Sequence, residues 1–86
     1  MRALFVTHQF EKDLSKIPKE IRDHADTILP LVRENPLTQN LNIKKLKGFV
    51  PSVYRVRIGS YRLMYSFTQN SLTLHRIAHR KDIYRN

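Results

Sequence analysis

Two different spacings of apolar residues divide the chain into a helical half and a strand half. In the first half, apolar residues recur at intervals of three or four, the spacing of one face of an α-helix: Phe10, Leu14, Ile17, Ile21, Ala25, Ile28 and Val32. Proline is well tolerated in the first turn of a helix. Pro18 therefore divides the stripe into two predicted helices, at about 8–16 and 18–34, with a kink at Pro30 and an end at Asn35–Pro36.

The second half alternates apolar and polar residues, as half-buried β-strands do. Residues 54–58 and 61–67 both alternate, and Gly59–Ser60 between them predicts a two-residue hairpin with a type II′ turn. Shorter apolar runs predict three more strands, at 2–7, 43–47 and 72–79. The predicted order is β-α-α-β-β-β-β, which indicates an α+β domain with two N-terminal helices packed on one face of a mostly antiparallel sheet.

Length and composition narrow the class of protein. The 86 residues contain no internal repeat, low-complexity tract or linker, so we expect a single domain over 1–86. No apolar run is long enough to cross a membrane, and no secretory signal opens the chain. The absence of cysteine excludes disulfides, thiolate metal sites and cysteine nucleophiles, and it fits a cytoplasmic protein.

The positive charge lies entirely in the strand half. The formal net charge is +9. Residues 1–40 balance six Lys and Arg against six Asp and Glu, whereas residues 41–86 set ten Lys and Arg against Asp82 alone. Such an asymmetry is typical of proteins that bind a polyanion, most often a nucleic acid.

The hairpin register predicts which side chains share a face. A two-residue turn pairs Arg57 with Arg62 and places Arg55 opposite Met64, on the face away from the helices. Like charges directly opposite each other destabilise a sheet, so this cluster indicates a site for an external anion. In the last strand, a bulge near His75–Arg76 would restore the alternation and send Arg76 outward.

The available side chains favour a reaction that needs no metal or cofactor. With Asp82 as the only carboxylate of the basic half, a two-metal nuclease and paired-carboxylate hydrolysis are disfavoured. RNA can be cut by its own 2′-hydroxyl, provided that the protein orients the sugar, stabilises the added negative charge and moves two protons. The candidates for proton transfer are His79 and a lysine such as Lys45 or Lys47.

Three segments resemble the RelE/ParE superfamily of type II toxins. They are KKLKG at 44–48, YRVRIGSYRLMY at 54–65 and RIAHRKDIY at 76–84, and the similarity extends over about 41–85 with matching order and spacing. The resemblance implies the RelE-like fold and a cognate antitoxin protein as partner. RelE-like members cleave mRNA in the A site of the 30S ribosomal subunit.

The resemblance also implies functional positions. Matching the motifs position by position assigns the following catalytic set, in which His79 takes a proton-transfer role: Arg55, Arg57, Arg62, His79, Arg80 and Tyr84. The remaining basic residues of this half are expected to bind RNA: Lys44, Lys45, Lys47, Arg76, Lys81 and Arg85. Arginines stand at 55 and 57 where RelE itself has lysines.

Two other functions remain open from the sequence. ParE-like members of the superfamily inhibit DNA gyrase by protein contact and need no catalytic set, and the fold does not separate the two branches. A non-catalytic RNA- or ribosome-binding module would need the positive charge alone. The basic face and the terminal tyrosine favour the ribonuclease.

Overall fold

The helices and strands follow the two halves of the sequence pattern in the predicted order. A computed structural model describes residues 1–83. Its elements are β1 (Ala3–Val6), α1 (His8–Leu14), α2 (Lys19–Glu34), β2 (Ile43–Lys45), β3 (Tyr54–Ile58), β4 (Tyr61–Phe67) and β5 (Ser71–His79). They form one five-stranded sheet in the order β1-β5-β4-β3-β2, in which the β1–β5 pair is parallel and the other pairs are antiparallel. The prediction of an α+β domain is confirmed.

Both helices begin and end where local chemistry favours it. The Thr7 side chain accepts a hydrogen bond from the backbone N–H of Phe10 at 3.1 Å and thereby caps α1. Helix α2 begins directly after Pro18, continues through Pro30 and ends at Glu34, and its C-cap Asn35 directly precedes Pro36. None of the helices within residues 1–83 is both long and apolar enough to cross a membrane.

The main core lies between the helices and the sheet. The helical stripe contributes Phe10, Ile17, Ile28 and Val32, and β5 contributes Leu72, Leu74 and Ile77. The hairpin contributes six residues from the face opposite its arginines, four of them buried and two partly buried: Tyr54, Val56, Ile58, Tyr61, Leu63 and Tyr65. The predicted register is therefore confirmed, with Arg57 paired to Arg62 and Arg55 to Met64.

A bulge in β5 resolves the irregular spacing of its apolar residues. Tyr65 pairs with Leu74 and the preceding Met64 pairs with Arg76, so His75 is an extra residue on β5. Because of it, both Leu74 and Ile77 face the core although they are an odd number of positions apart. The predicted bulge at His75–Arg76 is confirmed.

Helix α1 completes the exposed edge of β5. Strand β1 ends opposite Leu74, and from there side chains replace the missing strand. The Thr7 hydroxyl donates to the carbonyl of His75 at 2.9 Å, and the Asp13 carboxylate accepts the backbone N–H of Ile77 at 3.1 Å. These bonds fix the bulge, and with it the direction of the β5 side chains.

Candidate nucleic-acid interface

The sheet face opposite the helices carries two rows of basic side chains, and we call it the arginine face. Residues directly opposite each other on adjacent strands point to the same side of a sheet. One row is Lys44, Arg55, Met64 and Arg76; the neighbouring row is Arg57, Arg62 and Ala78. The strand register therefore brings together the arginines that the sequence places at alternate positions.

The three hairpin arginines differ in what holds them. Arg57 is exposed, whereas Arg62 is only 7% exposed, and its Nη1 donates to the carbonyls of Gly59 (3.3 Å) and Tyr61 (3.1 Å). Arg55 is half-buried. Its Nη1 is the one buried side-chain nitrogen or oxygen, within residues 1–83, that lacks a hydrogen-bond partner. A buried donor without an acceptor is costly, so this guanidinium is suited to an anion from outside.

The centre of the arginine face is apolar. After β5 the chain turns back, with the N–H of Ile83 donating to the carbonyl of His79 at 3.0 Å. Ile83 is 3% exposed and forms a second buried cluster with Val53 and Met64, joined at its margin by Leu46 and Ala78. The basic side chains of the arginine face thus lie around an apolar patch.

Arg76 is held by an ion pair with the helical half. Its Nε and Nη2 donate to the two oxygens of Asp13 at 3.0 and 3.1 Å, and Gln9 donates to the same carboxylate at 3.0 Å. Burial alone raises the pKa of Asp13, but the hydrogen bonds from Arg76, Gln9 and Ile77 outweigh it and hold that pKa below its usual range. Asp13 lies on the apolar stripe of α1, three residues after Phe10, and an acid in that position is the sequence signal for this contact.

The three lysines before the hairpin are exposed but do not share one face. Lys44 pairs with Arg55 and belongs to the arginine face, whereas Lys45 pairs with Tyr54 on the helix side. Lys47 follows β2 in the loop that leads to β3. The structure therefore brings one of these lysines to the arginines and leaves the other two at the edge of the sheet.

His79 lies on the side of the sheet that faces the helices. It pairs with Tyr61, and the two rings meet edge to face with centroids 5.4 Å apart. Its Nδ1 accepts the backbone N–H of exposed Lys81 at 3.1 Å. Arg80, also exposed, donates its backbone N–H to Ser60 at 2.8 Å, at the hairpin end of the sheet. The structure thus separates His79 from the hairpin arginines.

The bulge places a different histidine on the arginine face. Nε2 of His75 lies 2.7 Å from the hydroxyl of Ser66, a residue that alternates outward with Met64 and Arg62. Burial lowers the pKa of His75, which favours the neutral form of the ring. His8 and His24 are exposed on the helices.

The last two site predictions, Tyr84 and Arg85, lie outside the described residues. Three surface hollows, of about 630, 160 and 360 Å³, are lined by other parts of the chain and by none of the twelve predicted site residues. Within residues 1–83, no three His, Asp or Glu side chains group closely enough to hold a metal ion. The candidate site is therefore an open face rather than a pocket.

Comparison with known proteins agrees with this fold. The model of the ParE toxins of type II toxin–antitoxin systems (parDE) matches residues 4–84. The chain is 36% identical to the toxin RelE3 of Methanocaldococcus jannaschii, over 98% of this chain and 96% of that toxin. A chain of the RelB–RelE antitoxin–toxin complex from Methanococcus jannaschii matches with a TM-score of 0.78 and 32% identity, covering 93% of this chain and 94% of that one.

A solved structure with lower sequence identity has the same fold. A chain of the DinJ–YafQ toxin–antitoxin complex of E. coli gives a TM-score of 0.80 at 18% identity, over 96% of this chain and 97% of that one. The architecture is thus that of a class of small toxins. The chain itself belongs to the ParE toxin family of type II toxin–antitoxin systems, in its RelE-like branch.

Proposed function

We propose that this toxin is a ribosome-dependent mRNA endonuclease that inhibits translation in the cytoplasm. The observation that carries the proposal is the register of β3 and β4, which sets Arg57 opposite Arg62 and leaves the buried Nη1 of Arg55 beside them without an acceptor. A sheet selected for stability alone avoids facing cations. A phosphate bound among these side chains on the arginine face would relieve the repulsion between Arg57 and Arg62. It would also give Nη1 of Arg55 an acceptor.

The chemistry that suits this face is attack by the RNA's own 2′-hydroxyl. The 2′-oxygen forms a bond to the adjacent phosphorus, and the bond to the 5′-oxygen breaks, leaving a 2′,3′-cyclic phosphate and a 5′-hydroxyl. Arg55, Arg57 and Arg80 stabilise the added charge on the phosphoryl oxygens, while Arg62 braces the hairpin turn. From its position in the family motif, we propose that Tyr84 is a stacking platform for a base.

Two protons must also move, one from the 2′-hydroxyl and one to the leaving oxygen. His75 is our first candidate for the base, because it lies on the arginine face and burial favours its neutral form. His79 would act only on RNA that reaches the hairpin end of the sheet. Among the lysines, the exposed Lys44 is the candidate, because it lies beside Arg55. Neither step requires a metal ion.

The decisive test is Arg57→Ala in a bacterial cell-free translation reaction. Primer extension on a reporter mRNA should show cuts within translated codons with the wild type, none on naked RNA, and at least a hundredfold fewer with the variant. Lys16→Ala, which removes an exposed cation from the helical half, is the matched control and should cut normally. Intact mRNA with the wild type would refute the proposal.

We also propose a cognate antitoxin as the partner that silences this toxin. The relative from Methanococcus jannaschii was crystallised as a RelB–RelE complex, and the archaeal match is close enough in sequence to carry the analogy. An acidic or amphipathic antitoxin segment would complement the +9 charge of this chain.

A second candidate function follows from the family model, which carries the name of ParE. A ParE-like toxin would inhibit DNA gyrase by protein contact. In that case the mRNA would stay intact, and supercoiling by gyrase would fall when the toxin is added. Binding to RNA or ribosomes without cut ends and without loss of supercoiling would instead identify a non-catalytic module.

A further inference from the structure

The loop between β2 and β3 projects from the edge of the sheet. Strand β2 is the last strand on that side, and the bond from the N–H of Leu46 to the carbonyl of Val53, at 2.8 Å, closes the loop at its base. At its tip, Phe49 is 44% exposed and Val50 is 99% exposed, and neither belongs to the two buried clusters. An aromatic ring is thus presented to solvent.

The loop takes its shape from its own backbone. Gly48 has a φ of +85°, a conformation that side chains other than glycine rarely adopt, and a Cβ placed there would have no atom within 4 Å. Open space therefore surrounds the turn immediately before Phe49. A flat ring in such surroundings can be approached by another flat ring from outside.

The charge around the loop selects the kind of partner. Lys44, Lys45 and Lys47 are all exposed at its base, and the sequence has no Asp or Glu from residue 35 to residue 81. Cations beside an exposed aromatic ring are the pattern by which single-stranded nucleic acids are bound, with phosphates on the cations and a base stacked on the ring. An acidic protein would use the lysines but would gain little from an isolated ring without a groove around it.

We propose that Phe49 stacks on an unpaired base of single-stranded RNA, with the lysines of this loop holding the adjacent phosphates. The inference rests on the proposed function, because it assumes RNA as the ligand of the basic half. It adds a second contact outside the arginine face, so that an RNA strand extends from the hairpin arginines across β2 to the loop. Base stacking of this kind is insensitive to sequence.

The chain contains no tryptophan, which permits a direct measurement. Phe49→Trp introduces a single indole whose fluorescence is quenched when a base stacks on it. Phe5→Trp is the matched control, since Phe5 is 55% exposed but lies on β1, at the opposite edge of the sheet. The probe is a single-stranded oligonucleotide of about 12 nucleotides with 2′-O-methyl sugars, which cannot be cut.

We expect saturable quenching with Phe49→Trp and none with Phe5→Trp, at the concentrations where anisotropy shows that the oligonucleotide binds. In parallel, Phe49→Ala should weaken binding about tenfold, the loss of one stack. Phe49→Tyr should restore binding to within about twofold, since its ring stacks equally well. Val50→Ala, at the more exposed neighbour, should leave binding unchanged.

Salt dependence separates stacking from charge. Lys47→Ala should lower the slope of log affinity against log salt by about one, whereas Phe49→Ala should leave the slope unchanged. An oligonucleotide that binds without quenching the indole, or that does not bind, overturns the inference. The fluorescence, anisotropy and salt measurements involve no ribosomes and no cleavage. A protein that stacks on the oligonucleotide but cuts no mRNA would therefore refute only the proposed endonuclease.

Discussion

Asp13 is the residue through which the helical half holds the last strand. Its carboxylate accepts hydrogen bonds from Nε and Nη2 of Arg76 and from the backbone N–H of Ile77. The residue is only 7% exposed. The bidentate geometry suits a guanidinium, and the third bond replaces the missing edge strand. Together with Thr7, this side chain fixes the bulge and the strand edge, and it also sets the direction of Arg76.

Asp13→Asn should lower the free energy of unfolding by about 2 kcal/mol, because an amide removes the negative charge that binds the partly buried Arg76 in two places. Urea unfolding followed by circular dichroism measures the change. Asp23→Asn is the control: it breaks the exposed pair with Lys19, and it should cost about 0.5 kcal/mol or less. Equal losses in the two variants would contradict the anchoring role.

His75 should make the stability depend on pH. Burial holds the pKa of His75 below the ordinary 6.5, so the unfolded chain binds this proton at a higher pH than the folded one. The free energy of unfolding is therefore unaffected by this histidine above about pH 6.5, and it decreases as the pH falls below that value. His75→Gln should reduce the loss of stability between about pH 7.5 and 5.5.

The control for that titration is His24→Gln, which changes an exposed histidine of α2 and should keep the wild-type dependence on pH. If His75→Gln loses as much stability as the wild type over the same pH interval, the burial of His75 does not make the stability depend on pH. Unfolding free energies from urea curves at each pH supply the comparison.

The two histidines of β5 show where the sequence could not decide. Strict alternation along a strand puts residues an even number of positions apart on one face. The extra residue at 75 breaks that rule, so His79 shares a face with Ile77 and Tyr61, whereas His75 joins the arginines. The apolar spacing indicated a bulge, but the side to which each polar neighbour turns depends on α1, which is remote in sequence.

At the scale of elements, the β3–β4 hairpin was readable because every cue for it is local. Alternation fixes the faces, and Gly59 supplies the positive φ, here +61°, that the first position of a type II′ turn requires. Arg62 adds to the turn by donating to its carbonyls. For this reason Arg62→Ala would disturb the hairpin itself, and Arg57→Ala is the cleaner test of phosphate binding.

Gly59→Ala should lower the free energy of unfolding by about 1–2 kcal/mol, because alanine at this positive φ is strained. Space is not the obstacle, since the nearest atom to an added Cβ is the Cδ1 of Ile21 at 3.6 Å, an ordinary contact. Ser60→Ala, at the neighbouring turn residue, should be nearly neutral. Indistinguishable urea midpoints for the two variants would show that the turn adopts another geometry.

The pairing of β1 was less accessible than the hairpin. Its composition predicts a strand, but nothing near it in sequence says that it lies parallel to β5, since the contact joins residues 3–6 to residues 71–74. The same holds for Ile83, whose burial on the arginine face comes from the turn after β5. Elements follow from local pattern, whereas their neighbours across long separations are selected by the packing of the whole chain.

In the molecule as a whole, the two halves of the chain have different roles. The neutral half supplies the helices that cover one face of the sheet, and the basic half supplies the strands that display arginines on the other. The apolar spacing, the distribution of charge and the hairpin register together predicted this arrangement. The apolar cluster around Ile83 was not predicted, because residues 79–85 are mostly basic and contain no apolar pattern that would indicate burial.

The position of β5 between β1 and β4 has a consequence for synthesis. The strand made last within the described fold lies between the first strand and the hairpin. Until residues 71–79 have emerged from the ribosome, β1 has no partner and α1 has no strand edge to complete. The sheet that carries the arginine face therefore forms only once residues 71–79 have emerged, and an antitoxin already present can meet each new molecule at the moment when it first becomes folded.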